Sequence, residues 1–171
     1  RRLGIDLAIR AFAELERENP GMEFSILGYG EALNECIELS EELGLGNKVY
    51  FSRKILPLES MLNILKDMDI GIVANRKNSA TELMLPVKLL EYVALNIPAI
   101  APKLKTIEYY FTDEMVSYFE PGNIDSLIKA LSDLCKDKAK RENQALKARA
   151  FLEQYGWEKH KMDLINMYRE I

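Results

Sequence analysis

The chain has 171 residues, 48% of them hydrophobic, and carries 23 Lys plus Arg against 27 Asp plus Glu for a net charge of −4. That is enough apolar material for one sizeable core, and so weak a charge balance excludes a surface-wide field for nucleic acid or an anionic membrane. Cys36 and Cys135 stand alone, with neither zinc spacing nor disulfide density, and read as reduced thiols; no run approaches the roughly 18–20 apolar residues of a membrane span.

From the amino end, "GIDLAIRAFAELERENPGM" places Ile5, Ala8, Ile9, Phe12 and Leu15 at helical spacing and then stops at Asn19-Pro20-Gly21. "EFSILG" reads as a strand, turned by Gly28-Tyr29-Gly30 into the helix "EALNECIELSEELGLG". There follow strand "KVYF", helix "LESMLNILKDM", strand "DIGIVA", helix "PVKLLEYVAL", strand "PAIA", the short helix "TIEYYF", strand "VSYF" and helix "NIDSLIKALSDLCKD". The remainder is helical, as "KAKRENQALKARAFLEQY" and "WEKHKMDLINMYREI". Short apolar strands alternating with longer helices predict an α/β, Rossmann-like doubly wound parallel sheet with helices on both faces. The first element is a helix, although a doubly wound half begins with its central strand. Together with the missing initiator methionine, this suggests a chain that starts inside a longer protein, with residues 1–171 forming a single Rossmann-like domain.

Ligands of open parallel sheets lie beyond the carboxyl ends of the strands, so the loops around residues 28–31, 52–56, 74–86 and 102–106 are the ones to inspect. The longest of them leads into "LPVKLLEYVALNIPAIA". Pro86 suits the first helical position, leaving the amides of Val87, Lys88 and Leu89 free to hold an anion, to which Lys88 adds a full positive charge. Glu91 follows Lys88 about 4.5 Å along the axis on nearly the same face. If the amides hold a diphosphate, a carboxylate there can accept from both ribose hydroxyls; the same spacing also fits an ordinary surface ion pair. Arg53 and Lys54 after "VYF", and Arg76 and Lys77 before the helix, are either ligand-reaching cations or solvated charges. Gly28-x-Gly30 has Leu33 where a dinucleotide fingerprint needs its third glycine. His160, the sole histidine, reads as a surface residue, and no cluster suggests a metal.

The stretch "LPVKLLEYVALNIPAIAPKLKTIEYYF" resembles the donor-binding segment of family 4 retaining glycosyltransferases, in particular those of bacterial surface-polysaccharide assembly. The resemblance extends through "GIDLAIRAF", "FSILGYGEALNECIELSEELGL", "DMDIGIV", "YFEPGNIDSLIKAL" and "YGW". It implies the carboxyl-terminal, nucleotide-sugar-binding half of a GT-B enzyme with a helical carboxyl-terminal extension. Glu91 would bind the ribose, the amides of Val87 to Leu89 the diphosphate, and the Gly28-Tyr29-Gly30 loop with the segment Ser52-Arg53-Lys54-Ile55 would surround the base, with Arg76 a further substrate-binding candidate. Lys88 would stabilise the leaving diphosphate. The expected donor is a UDP-, GDP- or other nucleoside-diphosphate sugar, and no cofactor is expected. The expected partners are an amino-terminal domain of the same enzyme and a glycan or lipid-linked acceptor, with no nucleic acid. The expected location is cytoplasmic, with any membrane association made through the absent half, at the inner face. The fragment alone is expected to be inactive.

Departures from the family pattern qualify the likeness. Leu83 stands where the family often has a glutamate eight positions before Glu91, which leaves Glu82, one position away, as the candidate to touch the sugar. Leu3-Gly4 replaces a Lys-Gly whose lysine meets the diphosphate, so Arg1 or Arg2 would have to substitute. Asn96 replaces the glycine after the helix, a change that its tolerance of left-handed geometry allows. Two other readings remain: a nucleotide-binding domain without catalysis, suggested by Leu83 and Leu3, and a nucleotide-sugar epimerase.

Overall fold

The structure, a computed structural model, describes residues 2–169. Its elements follow in the order α1 (Ile5–Glu18), β1 (Phe24–Ile26), α2 (Leu33–Glu42), β2 (Val49–Phe51), α3 (Leu58–Leu65), β3 (Gly71–Ile72) and α4 (Ser79–Glu82). After these come α5 (Val87–Ala94), β4 (Ala99–Pro102), α6 (Lys105–Tyr110), β5 (Ser117–Phe119), α7 (Ile124–Lys136), α8 (Lys138–Ala148), α9 (Ala150–Tyr155) and α10 (Trp157–Arg169). The alternation predicted from the apolar runs is present. The strands are shorter than those runs, because burial continues past the last ladder bond; Val73 and Ala74 are buried beyond the end of β3. Arg1 and the last two residues of the final predicted helix lie outside the described residues.

All strand pairs are parallel, in two sheets of order β1-β2 and β3-β4-β5. Helix α1 straddles them. Leu7, Ala11 and Leu15 pack with Ile100 of β4, Phe119 of β5 and Leu127, Leu131 and Leu134 of α7. Ile9, Phe12 and Ala13 pack instead with Cys36 and Leu39 of α2 and Val49 of β2. Each fully buried aliphatic side chain contributes about 1.5–3 kcal/mol. A third cluster, on the other face of β4, joins Leu89 and Val93 of α5 to Ala99, Ala101, Ile107, Phe111 and Phe151. Helices thus cover both faces, as a doubly wound sheet requires.

Among the described residues no strand pairs with the inner edges of β1 and β3. The N–H groups of Gly71 and Val73 donate to Pro98 and Ile100, toward β4, whereas that of Arg76 donates to the Arg2 carbonyl at 3.0 Å. Successive residues of a strand bond to opposite sides, so the segment entering α1 runs beside the upper end of β3. Gly4 makes this approach possible. Its φ is +63°, and a Cβ there would come to 2.0 Å from the Ala74 carbonyl oxygen.

Helix α5 begins one residue later than predicted, with Pro86 as its N-cap at φ −68° and ψ 122°. The ring presets φ for the turn into the helix while ψ stays extended. At the other end Asn96 adopts φ +57°; Ile97 N–H donates to the Tyr92 carbonyl at 2.9 Å and Asn96 N–H to that of Val93 at 3.2 Å. This is the Schellman closure that the Asn96 reading anticipated.

Candidate functional site

The carboxyl ends of β1 to β4 face one side, where the four loops singled out from the sequence converge. The amino end of α5 is open there, with the Val87 side chain 67% exposed. Among the described residues the N–H groups of Val87 and Lys88 have no acceptor, as expected of a first turn. The Leu89 N–H differs from the expectation: it donates to the Pro86 carbonyl at 2.9 Å, since Pro86 as N-cap offers an acceptor three residues back, and the Leu89 side chain is wholly buried. The helix end therefore presents two free amides rather than three.

Lys88 is half-buried and forms no hydrogen bond or ion pair within the described residues. Loss of hydration with no compensating carboxylate pushes its pKa down to about 8. Glu91, one turn along, is also half-buried and has no partner among the described residues. The two do not form the ordinary surface ion pair that their spacing permitted.

The loop entering α5 is held firmly. The Asn78 side chain accepts from the N–H groups of Ala80 and Thr81, both at 2.9 Å, while the Thr81 hydroxyl accepts from Asn78 N–H and donates to the Arg76 carbonyl at 2.7 Å. Glu82 is turned to the same purpose. Its carboxylate accepts the Lys105 N–H at the start of α6 at 3.0 Å and pairs with Lys77 at 2.9 Å. These two contacts, the Lys105 amide first, hold its pKa below the usual carboxylate range. Leu83, beside it, is 81% exposed. Arg76 spends both terminal nitrogens on Asp6 of α1, at 2.8 and 2.6 Å, and these hydrogen bonds lower the Asp6 pKa.

The loops after β1 and β2 are joined by Ser52, the first residue of the segment expected around the base. The Ser52 hydroxyl accepts from Gly28 N–H at 2.9 Å and donates to the Lys54 carbonyl at 2.9 Å. It ties the Gly28-Tyr29-Gly30 turn to Arg53 and Lys54, both exposed, with Arg53 in left-handed backbone at φ +54°. A groove of about 1250 Å³ opens between this turn, α1 and α2. Leu3, Asp6, Gly28, Gly30 and Arg76 line it, whereas Lys88 and Glu91 do not. The structure thus gathers the candidates into two groups, Val87, Lys88 and Glu91 on α5, and Gly28, Gly30, Arg53 and Lys54 across the crevice, with Arg76 fixed to α1. Asn75 and Asp6 were not among them. The signal for Asn75 was a polar residue ending the apolar run "DIGIVA"; Asp6 is a common residue type at an unremarkable position.

The profile of the family described as "Glycosyl transferases group 1" matches residues 1–151. The chain belongs to that family. This group 1 chain is also 28% identical over 137 residues to an exopolysaccharide phosphotransferase of Streptomyces coelicolor, a match covering 79% of the chain and 14% of that protein. Its fold is similar to Anabaena HepE, solved with UDP and glucose, at a TM-score of 0.84 and 15% identity, over 99% of this chain and 46% of that one. Staphylococcus aureus TarM, in a mutant form solved with fondaparinux, alpha-GlcNAc-glycerol and UDP, gives 0.82 at 16% identity over 98% and 33%. The carboxyl-terminal domain of a group 1 glycosyl transferase, LpcC from Francisella tularensis, gives 0.76 at 20% identity over 90% and 80%. The chain therefore spans a seventh of that curated relative and between a third and a half of the HepE and TarM chains. Among the described residues no helix is long and apolar enough to cross a membrane.

Proposed function

We propose that this chain is the donor-binding part of a retaining glycosyltransferase that moves a sugar from a nucleoside diphosphate to an acceptor hydroxyl in polysaccharide or other glycan synthesis. The observation that carries the reading is the amino end of α5, where two free amides and a half-buried ammonium without a counter-ion converge on the open side of the sheet. Such an end holds an anion. Glu91, unpaired one turn further on, accepts the ribose hydroxyls, and the turn at Gly28 with Arg53 and Lys54 faces the base. The solved complexes of HepE and TarM hold UDP, which supports a nucleotide donor here.

Departure of the diphosphate builds negative charge on its oxygens. Fixed amides and Lys88 stabilise that charge without reorganising, which lowers the barrier to departure. Glu82, committed to Lys77 and the Lys105 amide, braces the loop, so we assign it no contact with the sugar. The donor is a substrate, and no cofactor enters the scheme. An amino-terminal half supplies the acceptor site and any contact with a membrane, and the protein acts in the cytoplasm.

Glu91→Ala tests the ribose contact. It should weaken UDP binding by about 1.5–3 kcal/mol, the range for a charged hydrogen-bonding group, and leave inorganic pyrophosphate unaffected. Equal UDP affinity in calorimetry would remove the ribose role. A second reading, binding without transfer, is favoured by the exposed Leu83 at the position where the family pattern often has a glutamate; tight binding of UDP- or GDP-sugars to the full-length protein with no transfer to any acceptor would select it.

A further inference from the structure

Asn75 is fully buried, and neither its Nδ2 nor its Oδ1 meets a hydrogen-bond partner among the described residues. An orphaned amide is costly to fold, and a group that satisfies both atoms must offer a donor on one side and an acceptor on the other.

The strand fixes where this amide points. Gly71 lies against the Tyr92 ring of α5, so closely that a Cβ would come within 2.4 Å of it, and Val73 shares a core cluster with Leu89 and Val93. β3 ends at Ile72, but the Val73 N–H still donates to Ile100 and the Arg76 N–H to Arg2 on the opposite side, so the alternation carries past the strand and sets Asn75 in this row about 7 Å beyond Val73, toward the crevice. Helix α5 runs the opposite way past β3 with Tyr92 against Gly71; four helical residues rise about 6 Å and four extended ones about 13 Å, so the Lys88 side chain, which shares the Tyr92 face and tilts toward the helix amino end, has about 7 Å to span to the level of Asn75, close to its extended length. A buried amide without partners and a half-buried ammonium without partners thus stand at the same end of the same layer.

We infer that Asn75 belongs to the anion site at the amino end of α5: its Oδ1 accepts from the Lys88 ammonium and its Nδ2 donates to a phosphate oxygen. An ammonium only donates and a phosphate oxygen only accepts, so binding of a diphosphate satisfies both amide atoms at once. Asn75 is then a positioning residue for Lys88 and a neutral ligand to the anion. The inference rests on the donor-site reading for the identity of the anion.

The test compares the unaltered chain with Asn75→Leu, similar in volume, and Asn75→Asp. Inorganic pyrophosphate, UDP and uridine are titrated by calorimetry at pH 7, and the Lys88 ammonium is followed by NMR of 13C-labelled lysine without ligand. Asn75→Leu should unfold at higher urea, since the orphan is gone, yet bind pyrophosphate and UDP about tenfold more weakly, the contribution of one charge-assisted hydrogen bond. Asn75→Asp should raise the pH at which Lys88 titrates, because a carboxylate adjoins it. The other charges on the surrounding elements, Glu91 on α5, Arg76, Lys77 and Glu82 on the preceding loop and Lys105 on α6, are the same in every variant. If Asn75→Asp does not fold, the double variant N75L/K88M replaces it and should lose less affinity than the product of the single losses. Unchanged pyrophosphate affinity in Asn75→Leu, an unmoved Lys88 titration in Asn75→Asp, or strict multiplicativity in the double variant overturns the inference. If the unaltered chain binds neither pyrophosphate nor UDP, the donor-site reading and the Nδ2 contact fall together, and the Lys88 titration judges the Oδ1 contact by itself.

Discussion

Replacing Lys88 with Met keeps the aliphatic stem and removes the charge, which separates what this residue costs the fold from what it does for a ligand. Its pKa falls from an ordinary 10.5 to about 8 through burial. At pH 7, with the ammonium charged in both states, that depression corresponds to about 3 kcal/mol of lost stability, reduced to about 1–2 by the solvent that still reaches the half-buried head group. Between pH 8 and 10.5 the unfolded chain holds the proton that the folded chain has released, so stability of the unaltered protein rises with pH across that window. Lys88→Met should therefore be more stable at pH 7, and its stability should lack this rise. Urea unfolding at pH 7 and pH 9.5 measures both. Affinity moves the other way: a bound diphosphate supplies the missing counter-ion, so UDP binding to the unaltered chain should weaken as pH rises through about 8 and be roughly 10- to 100-fold weaker in the variant at pH 7. A Lys88→Met protein that unfolds more easily and binds UDP as before would refute the picture of a buried cation waiting for an anion.

Gly4→Ala should lower stability by more than about 2 kcal/mol, read as a loss of thermal midpoint, because the methyl group meets the Ala74 carbonyl and the left-handed backbone disfavours it. Asp6→Asn tests the tie to Arg76. The Asp6 pKa is depressed below 3.8, so its stabilisation is present above that pH and is lost as the pH falls further; the variant should be less stable at pH 7, by about 1 kcal/mol or less for so exposed a pair, and its thermal midpoint should depend less on pH below 4. Asn96→Gly should stabilise by about 0.5–1 kcal/mol in denaturant titration, since glycine adopts φ +57° without the cost asparagine bears.

Local chemistry determined much of this protein without help from the rest of the chain. Apolar residues at spacings of three and four made α1, α5 and α7 legible because a helix is set by its own neighbours, and short apolar runs bounded by glycine or proline marked the strands. Pro86 and Asn96 bounded α5 for reasons of backbone geometry alone, and Lys88 and Glu91 could be placed on one face by counting. Partnership was not legible, since it depends on which side chains from distant segments arrive at the same place. Only the tertiary structure decided that Glu82 would close on the Lys105 amide rather than face the crevice, that Arg76 would be claimed by Asp6 seventy residues earlier, and that Leu89 would lose its free amide to Pro86. The same holds for Asn75, whose unmet hydrogen-bonding capacity exists only because the fold buries it. A sequence states what each group can bond to, and the fold decides which of those bonds are already made.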